Sequence, residues 1–259
     1  MIALNFGFSA LEAEFWRLVF VMTRIGAALF AVPFFGGGIV PPQLRVIMTG
    51  ALAVFVCAWT PFAPPPALLS ASGILAVAGE ASVGLALGFV LQLAFAAPVI
   101  AAEVIGGAMG MGMAASVDPA SGVQSPALGE YFRVVLTLIF FALGAHLQWL
   151  SLLVESYRTF PPGQSWLGDD RFAQIAGFAA EMFATAVAMA LPVTLVLLLV
   201  QFATGVISRS APALNLFAVG LPAGVLAGIA ALLASAPLLG DAMTELSAKA
   251  VAQASAVVR

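Results

Sequence analysis

From Ala71 to Ala97 the chain runs through an apolar stretch whose only charged residue is Glu80. A helix of about 20 such residues spans the hydrocarbon core of a bilayer. The pattern recurs along the chain, so this stretch is not a single buried helix of a soluble domain. Hydrophobic residues make up 63% of the sequence and charged residues 8%, with a mean hydropathy of +1.11. Soluble domains carry about 25% charged residues, and a soluble fold could not bury this much apolar surface. The composition therefore predicts an all-α, polytopic membrane protein. No hydrophilic stretch is long enough for a separate soluble domain, so residues 1–259 read as a single integral-membrane domain.

The apolar runs divide as follows. The first extends from Leu11 to Val32 and ends at Pro33. Leu44 to Thr60 is short for a span and reads as half of a hairpin. The third, Ala71 to Ala97, ends at Pro98, and Ile100 to Gly107 extends it beyond a kink. Leu128 to Val154 forms the fourth. The fifth, Phe172 to Gln201, contains Pro192, which should kink it. The sixth is Leu214 to Leu239, and Gly240 to Val258 forms a last, less apolar helix. Glycine and proline mark the connections Phe34–Pro42, Pro61–Pro66, Phe160–Asp170 and Ser208–Pro212.

Charge excludes some functions. The net charge of −3 is too small to draw in a nucleic acid. Cys57 is the only cysteine, so the chain holds no internal disulfide and no cysteine-rich metal site. The N-terminus has no basic residue before its apolar run and does not read as a cleaved secretory signal. Arg45, Arg158, Arg171, Arg209 and Lys249 are spread over nearly every junction. This blurs the positive-inside pattern and implies that the segments do not all cross a bilayer in simple alternation.

One segment stands apart. Residues 106–126 read GGAMGMGMAASVDPASGVQSP. Gly106, Gly107, Gly110 and Gly112 each weaken a helix by about 1 kcal/mol relative to alanine. Asp118 is pushed out of the α region by Pro119, which stops any helix there. Irregular backbone beside membrane-embedded helices persists where it is buried in protein or lines a cavity. The segment is thus expected to form a pore, gate or substrate site. Met109, Met111 and Met113 alternate with small residues and would share one side of an extended backbone. Methionine adapts to irregular surfaces, so the three could form a deformable seal or simply fill gaps in a core.

Ionisable groups within apolar segments are costly, about 2.5–3.5 kcal/mol each on insertion scales. Arg17 and Arg24 lie seven apart, on one helical face. Glu80, Glu103, His146 and Glu181 lie in or beside later segments. Glu130 and Arg133 are close enough along a helix to pair. Such groups serve either as interhelical pairs or as steps of a proton relay. Glu80, Gly84 and Gly88 follow at steps of four, a spacing that lets helices approach closely. No phosphate-cradling loop, zinc spacing or serine elbow is present, so the sequence gives neither a cofactor nor a catalytic site.

At these residues the chain resembles the flagellar biosynthetic protein FliR family and its injectisome counterpart in type III secretion. Arg24-Ile25-Gly26, Pro33-Phe34 and Pro41 to Arg45 resemble its opening block. Glu80, Gly84 and Gly88 resemble its E-x-x-x-G-x-x-x-G stripe. Gly106 through Asp118-Pro119 to Gln124-Ser125-Pro126 resembles its central loop. Ala145-His146 and Ser156 to Pro161 follow in order. Arg209, Pro212, Asn215-Leu216-Phe217 and Gly220-Leu221-Pro222 resemble its R-x-x-P-x-x-N-x-F-x-x-G-x-P block. The chain has Gly144-Ala145-His146 where an Asn-Gly-His-like run is common in the family.

The resemblance implies an export-gate type of fold, built from tilted, kinked helical hairpins. It implies a place in the bacterial inner membrane at the flagellar basal body, with FliP- and FliQ-like partners and an FlhB-like subunit beside them. Unfolded export substrates would pass through the channel. Gly106, Gly107, Met109, Gly110, Met111, Gly112, Met113, Asp118 and Pro119 would form or flank a plug. Arg24, Glu80, Gly84, Gly88, Arg209, Pro212 and Asn215 would serve packing and assembly. No enzymatic activity is implied. Two other readings stay open: an injectisome gate subunit, and a small-solute or ion transporter using Glu80, Glu103 and His146. In a third, the chain only nucleates the assembly.

Overall fold

A computed structural model describes residues 8–35, 40–60, 70–111, 127–161, 169–210 and 216–258. Among them seven helices run in order: α1 (Phe8–Ala31), α2 (Pro42–Trp59), α3 (Ala71–Ala108), α4 (Ala127–Ala142), α5 (Ala145–Thr159), α6 (Asp169–Ser210) and α7 (Leu216–Val258). No strand occurs among the described residues. The protein is all-α and polytopic. Helices α2, α3, α6 and α7 are long and apolar enough to cross a membrane, and the bent pair α4–α5 makes a fifth if counted as one span. Helix α1, read from sequence as the first span, is not among them. It carries Glu12, Glu14, Arg17 and Arg24 within its length.

Three sequence boundaries are corrected. Pro98 does not end the third helix, because α3 continues to Ala108 and includes Gly106 and Gly107. A proline removes one backbone donor, but flanking packing compensates: Ala94, Ala97, Ala101 and Ala102 are buried on either side of it. Gly240 does not separate two helices either, and α7 runs unbroken through it and past Pro222 and Pro237. Conversely, the expected fourth span is two helices meeting at a 70° bend. The break lies at Gly144, whose φ of 68° is left-handed and comfortable only for residues such as glycine.

Helix ends follow local chemistry. Pro42 opens α2, where the missing N–H leaves no helical bond unmade. The Ser70 hydroxyl accepts from the Gly73 N–H at 3.0 Å and caps α3. Arg17 donates from Nη2 to the carbonyls of Cys57 and Thr60 at 3.0 and 3.1 Å, covering the end of α2.

The chain forms two compact units. The first comprises residues 1–93, 144–178 and 249–259. Its core contains Val21, Ile25, Leu29, Leu87, Leu91, Trp149, Leu153 and Tyr157, all almost fully buried. The Trp149 indole N–H donates to the Leu87 carbonyl at 3.2 Å, which fixes α5 against α3. The second unit comprises residues 94–143 and 179–248. Its core contains Ile105, Met109, Leu136, Phe140, Val193 and Leu197. Phe95 of α3 meets Phe140 of α4 edge-on, with centroids 5.6 Å apart.

Candidate functional site

Two arrangements gather the residues singled out by sequence. The first is a buried cluster around Arg24 in the first unit. Arg24 is 0% exposed and Glu80 1%. Nε and Nη2 of Arg24 donate to the two carboxylate oxygens of Glu80 at 2.8 and 2.9 Å. Nη1 donates to the carbonyl and the hydroxyl of Ser156 at 2.9 and 3.0 Å, and Nη2 also donates to the Phe160 carbonyl at 3.0 Å. All five guanidinium N–H groups thus have an acceptor.

The ring of Tyr157 lies 4.3 Å from the guanidinium carbon, and its hydroxyl donates to the Val21 carbonyl at 2.8 Å. The cluster ties α1, α3 and the end of α5 together. One turn on, a Cβ at Gly84 would collide with the Arg24 carbonyl. At Gly88 it would lie 2.6 Å from the Ala28 carbonyl. These two glycines let the backbones of α1 and α3 touch, with the ion pair at the end of the same stripe.

The second arrangement closes α3 in the second unit. The Gly110 N–H donates to the Gly107 carbonyl and the Met111 N–H to the Gly106 carbonyl, both at 3.0 Å. Gly110 has a φ of 83°. This is a Schellman closure, in which a left-handed glycine lets the chain turn back over the last helical carbonyls. Gly106 and Gly107 are therefore regular helix, and Met109 and Met111 belong to its terminal turn. An extended run with aligned methionines is not what the described part shows.

Met109 is 4% exposed. Its side chain lies across α7 at Gly228, where a Cβ would come within 2.5 Å of Cγ and 2.7 Å of Sδ. At Gly224 a Cβ would stand 3.1 Å from the Met109 carbonyl oxygen. From α6, Gln201 Nε2 donates to the Ala108 carbonyl at 2.6 Å.

The remaining residues fall as follows. Gly112, Met113, Asp118, Pro119, Pro212 and Asn215 lie outside the described residues. Arg209 is exposed in the last turn of α6, where its charge suits the helix dipole. Glu130 and Arg133 pair at 3.2 Å on the surface of α4. Glu103 and Glu181 are exposed, and His146 is half-buried at the start of α5. No group of three or more His, Cys, Asp or Glu side chains that could hold a metal occurs among the described residues.

The sequence marks Ser156 to Pro161 as a family-like block, but not its meeting with Arg24. Ser156, Tyr157 and Phe160 join Arg24 across more than a hundred residues of chain, which no local spacing announces. Gln201 gave no signal. Gly224 and Gly228 did carry one: with Gly220 they repeat at steps of four.

Comparison with known proteins bears on both arrangements at once. The family model described as Bacterial export proteins, family 1 matches residues 15–250. The chain belongs to the FliR family of bacterial export proteins. It is 32% identical over 231 residues to the flagellar biosynthetic protein FliR of Escherichia coli strain K12, covering 89% of this chain and 87% of that one. With FliR of Bacillus subtilis strain 168 it shares 35% over 211 residues, 80% and 81% of the two chains. FliR of Aquifex aeolicus strain VF5 is 30% identical over 224 residues, 85% of each. The resemblance read from the sequence motifs is thus correct. The FliR match encloses both the Arg24 cluster and the end of α3. It makes the chain a multi-pass membrane component of flagellar protein export.

Proposed function

We propose that this chain is a subunit of the flagellar type III export gate in the bacterial inner membrane. It forms the export channel with FliP- and FliQ-like subunits, beside an FlhB-like subunit, and residues 106–126 plug that channel against small ions. Unfolded export substrates pass when the plug is withdrawn. The observation that carries this reading is the family match over residues 15–250. The relatives' names favour flagellar use over an injectisome.

Geometry supports the division of labour. Arg24 and Glu80 satisfy each other in the interior, which suits structural pairing better than a transport path requiring an exchangeable carboxylate. A left-handed glycine, Gly110, closes α3 within the segment read as plug.

Two measurements test the reading. A strain lacking the chain should lose motility and flagellar secretion, and restoring the gene should recover both. Removing residues 112–122 should leave assembly with FliP- and FliQ-like chains intact and raise ion leakage through the cell membrane. Intact assembly with background leakage would leave the chain a structural nucleus and remove the plug.

A further inference from the structure

The end of α3 is held from two sides. Gln201 of α6 occupies the last helical carbonyl, and α7 offers a slot floored by Gly224 and Gly228 for Met109. The helix end itself leaves the Ala108 carbonyl open, and Gln201 fills it. The Schellman turn already satisfies the carbonyls of Gly106 and Gly107. The slot is close packing on small residues, shaped to this one side chain. A side chain at Gly228 would overlap Cγ, Sδ and Cε of Met109 together, so the floor must lack a Cβ while the methionine is seated. Methionine is also suited to leaving and re-entering such a slot, being unbranched and flexible.

We propose that Met109, Gly224, Gly228 and Gln201 form a latch that holds the base of the plug, with Met109 seated when the gate is closed and withdrawn when it opens. The inference rests on the reading of residues 106–126 as a plug. It adds which residues hold that segment. Met109 is then an anchor rather than part of the sealing face. Gln201 is a positioning residue acting through the Ala108 carbonyl. A latch of this kind is a two-state element, which a contact on either side biases.

The test uses the full chain in the assembled export complex. Met109→Cys and Gly228→Cys are combined with Cys57→Ala, which removes the only native cysteine. Cγ of Met109 lies 2.5 Å from the Cβ position at residue 228, so the two new Cβ atoms fall within disulfide reach. Oxidation should lock the latch and cut flagellar secretion by about tenfold or more, a typical size for coupling between two states. Reduction should restore it. Secretion unchanged in the cross-linked complex overturns the latch, and so does failure of the pair to cross-link.

Two further variants separate the latch from simple misfolding. Gly228→Ala should displace Met109 and raise ion leakage several-fold with the complex still assembled. In a Met109→Ala background the same change should add nothing, since its target side chain is gone. Additive effects overturn the proposal. Gln201→Leu should give a smaller leak of the same kind, and no leak at all would remove Gln201 from the latch. Normal flagellar secretion in a strain lacking the chain would instead overturn the export-gate reading itself, whatever the cross-link does.

Discussion

At the scale of single residues, the decisive observation is how completely Arg24 is satisfied. A buried ion pair is weak evidence of stability, because desolvation offsets the attraction. Removing one partner is a different matter, since it strands the other charge. Arg24→Ala or Glu80→Ala should therefore each destabilise the first unit by about 3–5 kcal/mol. Arg24→Lys should also be damaging, because an ammonium cannot present the planar fork that reaches Glu80, Ser156 and Phe160 together. The double change Arg24→Leu with Glu80→Leu should be milder than either alanine variant, because no charge is left unpaired. Membrane-extracted protein, followed by thermal aggregation or limited proteolysis, would measure this. A double variant as unstable as the sum of the singles would show that the pair acts through packing alone. Sequence showed both residues as costly and placed Glu80 on the glycine stripe. It could not show that they meet, because that depends on how α1 folds against α3.

At the scale of elements, glycines divide into those needed for close approach and those needed for a turn. Gly84 belongs to the first kind. Its hypothetical Cβ meets backbone rather than a movable side chain, so α1 and α3 would have to separate. Gly84→Ala should destabilise by about 1–3 kcal/mol, the usual range for overpacking. Gly144 belongs to the second kind, with nothing within 4 Å of a Cβ but a φ of 68°. Gly144→Ala should cost about 1–2 kcal/mol through the left-handed backbone alone. Gly144→Asn should cost less, since asparagine tolerates that region. Equal losses for the alanine and asparagine variants would show that the bend is not set by backbone conformation. Glycine and asparagine both tolerate left-handed backbone, so Gly144 is compatible with the asparagine of the Asn-Gly-His-like run. The apolar runs made the helices legible, but not their continuity. Pro98, Pro192, Pro222 and Pro237 all sit inside helices, each removing one backbone bond without ending its helix. Gly144, with no proline beside it, marks the sharp bend.

At the scale of the whole molecule, what stands out is the apolar surface left open. On α6, Phe183, Val187, Leu191, Leu195 and Leu199 are exposed at steps of four and form one continuous ridge. The most apolar stretch of α6 is 28% buried, against 61% for that of α3. A bare ridge of this length needs lipid or protein against it, and composition alone cannot say which. On the export-gate proposal the ridge is covered by protein, from unlike helical subunits. A photo-reactive phenylalanine analogue placed at Leu199 should therefore cross-link to a different polypeptide when the whole export complex is present. In membranes holding this chain alone it should capture only lipid. Adducts limited to lipid in both cases would leave α6 facing the bilayer and move the partner surface elsewhere. Adducts to a second copy of this chain would contradict an assembly of unlike subunits. Position 199 suits the test because it is 69% exposed and belongs to neither the Arg24 cluster nor the Met109 latch. A cross-link there reports on what covers the helix without disturbing what holds it together.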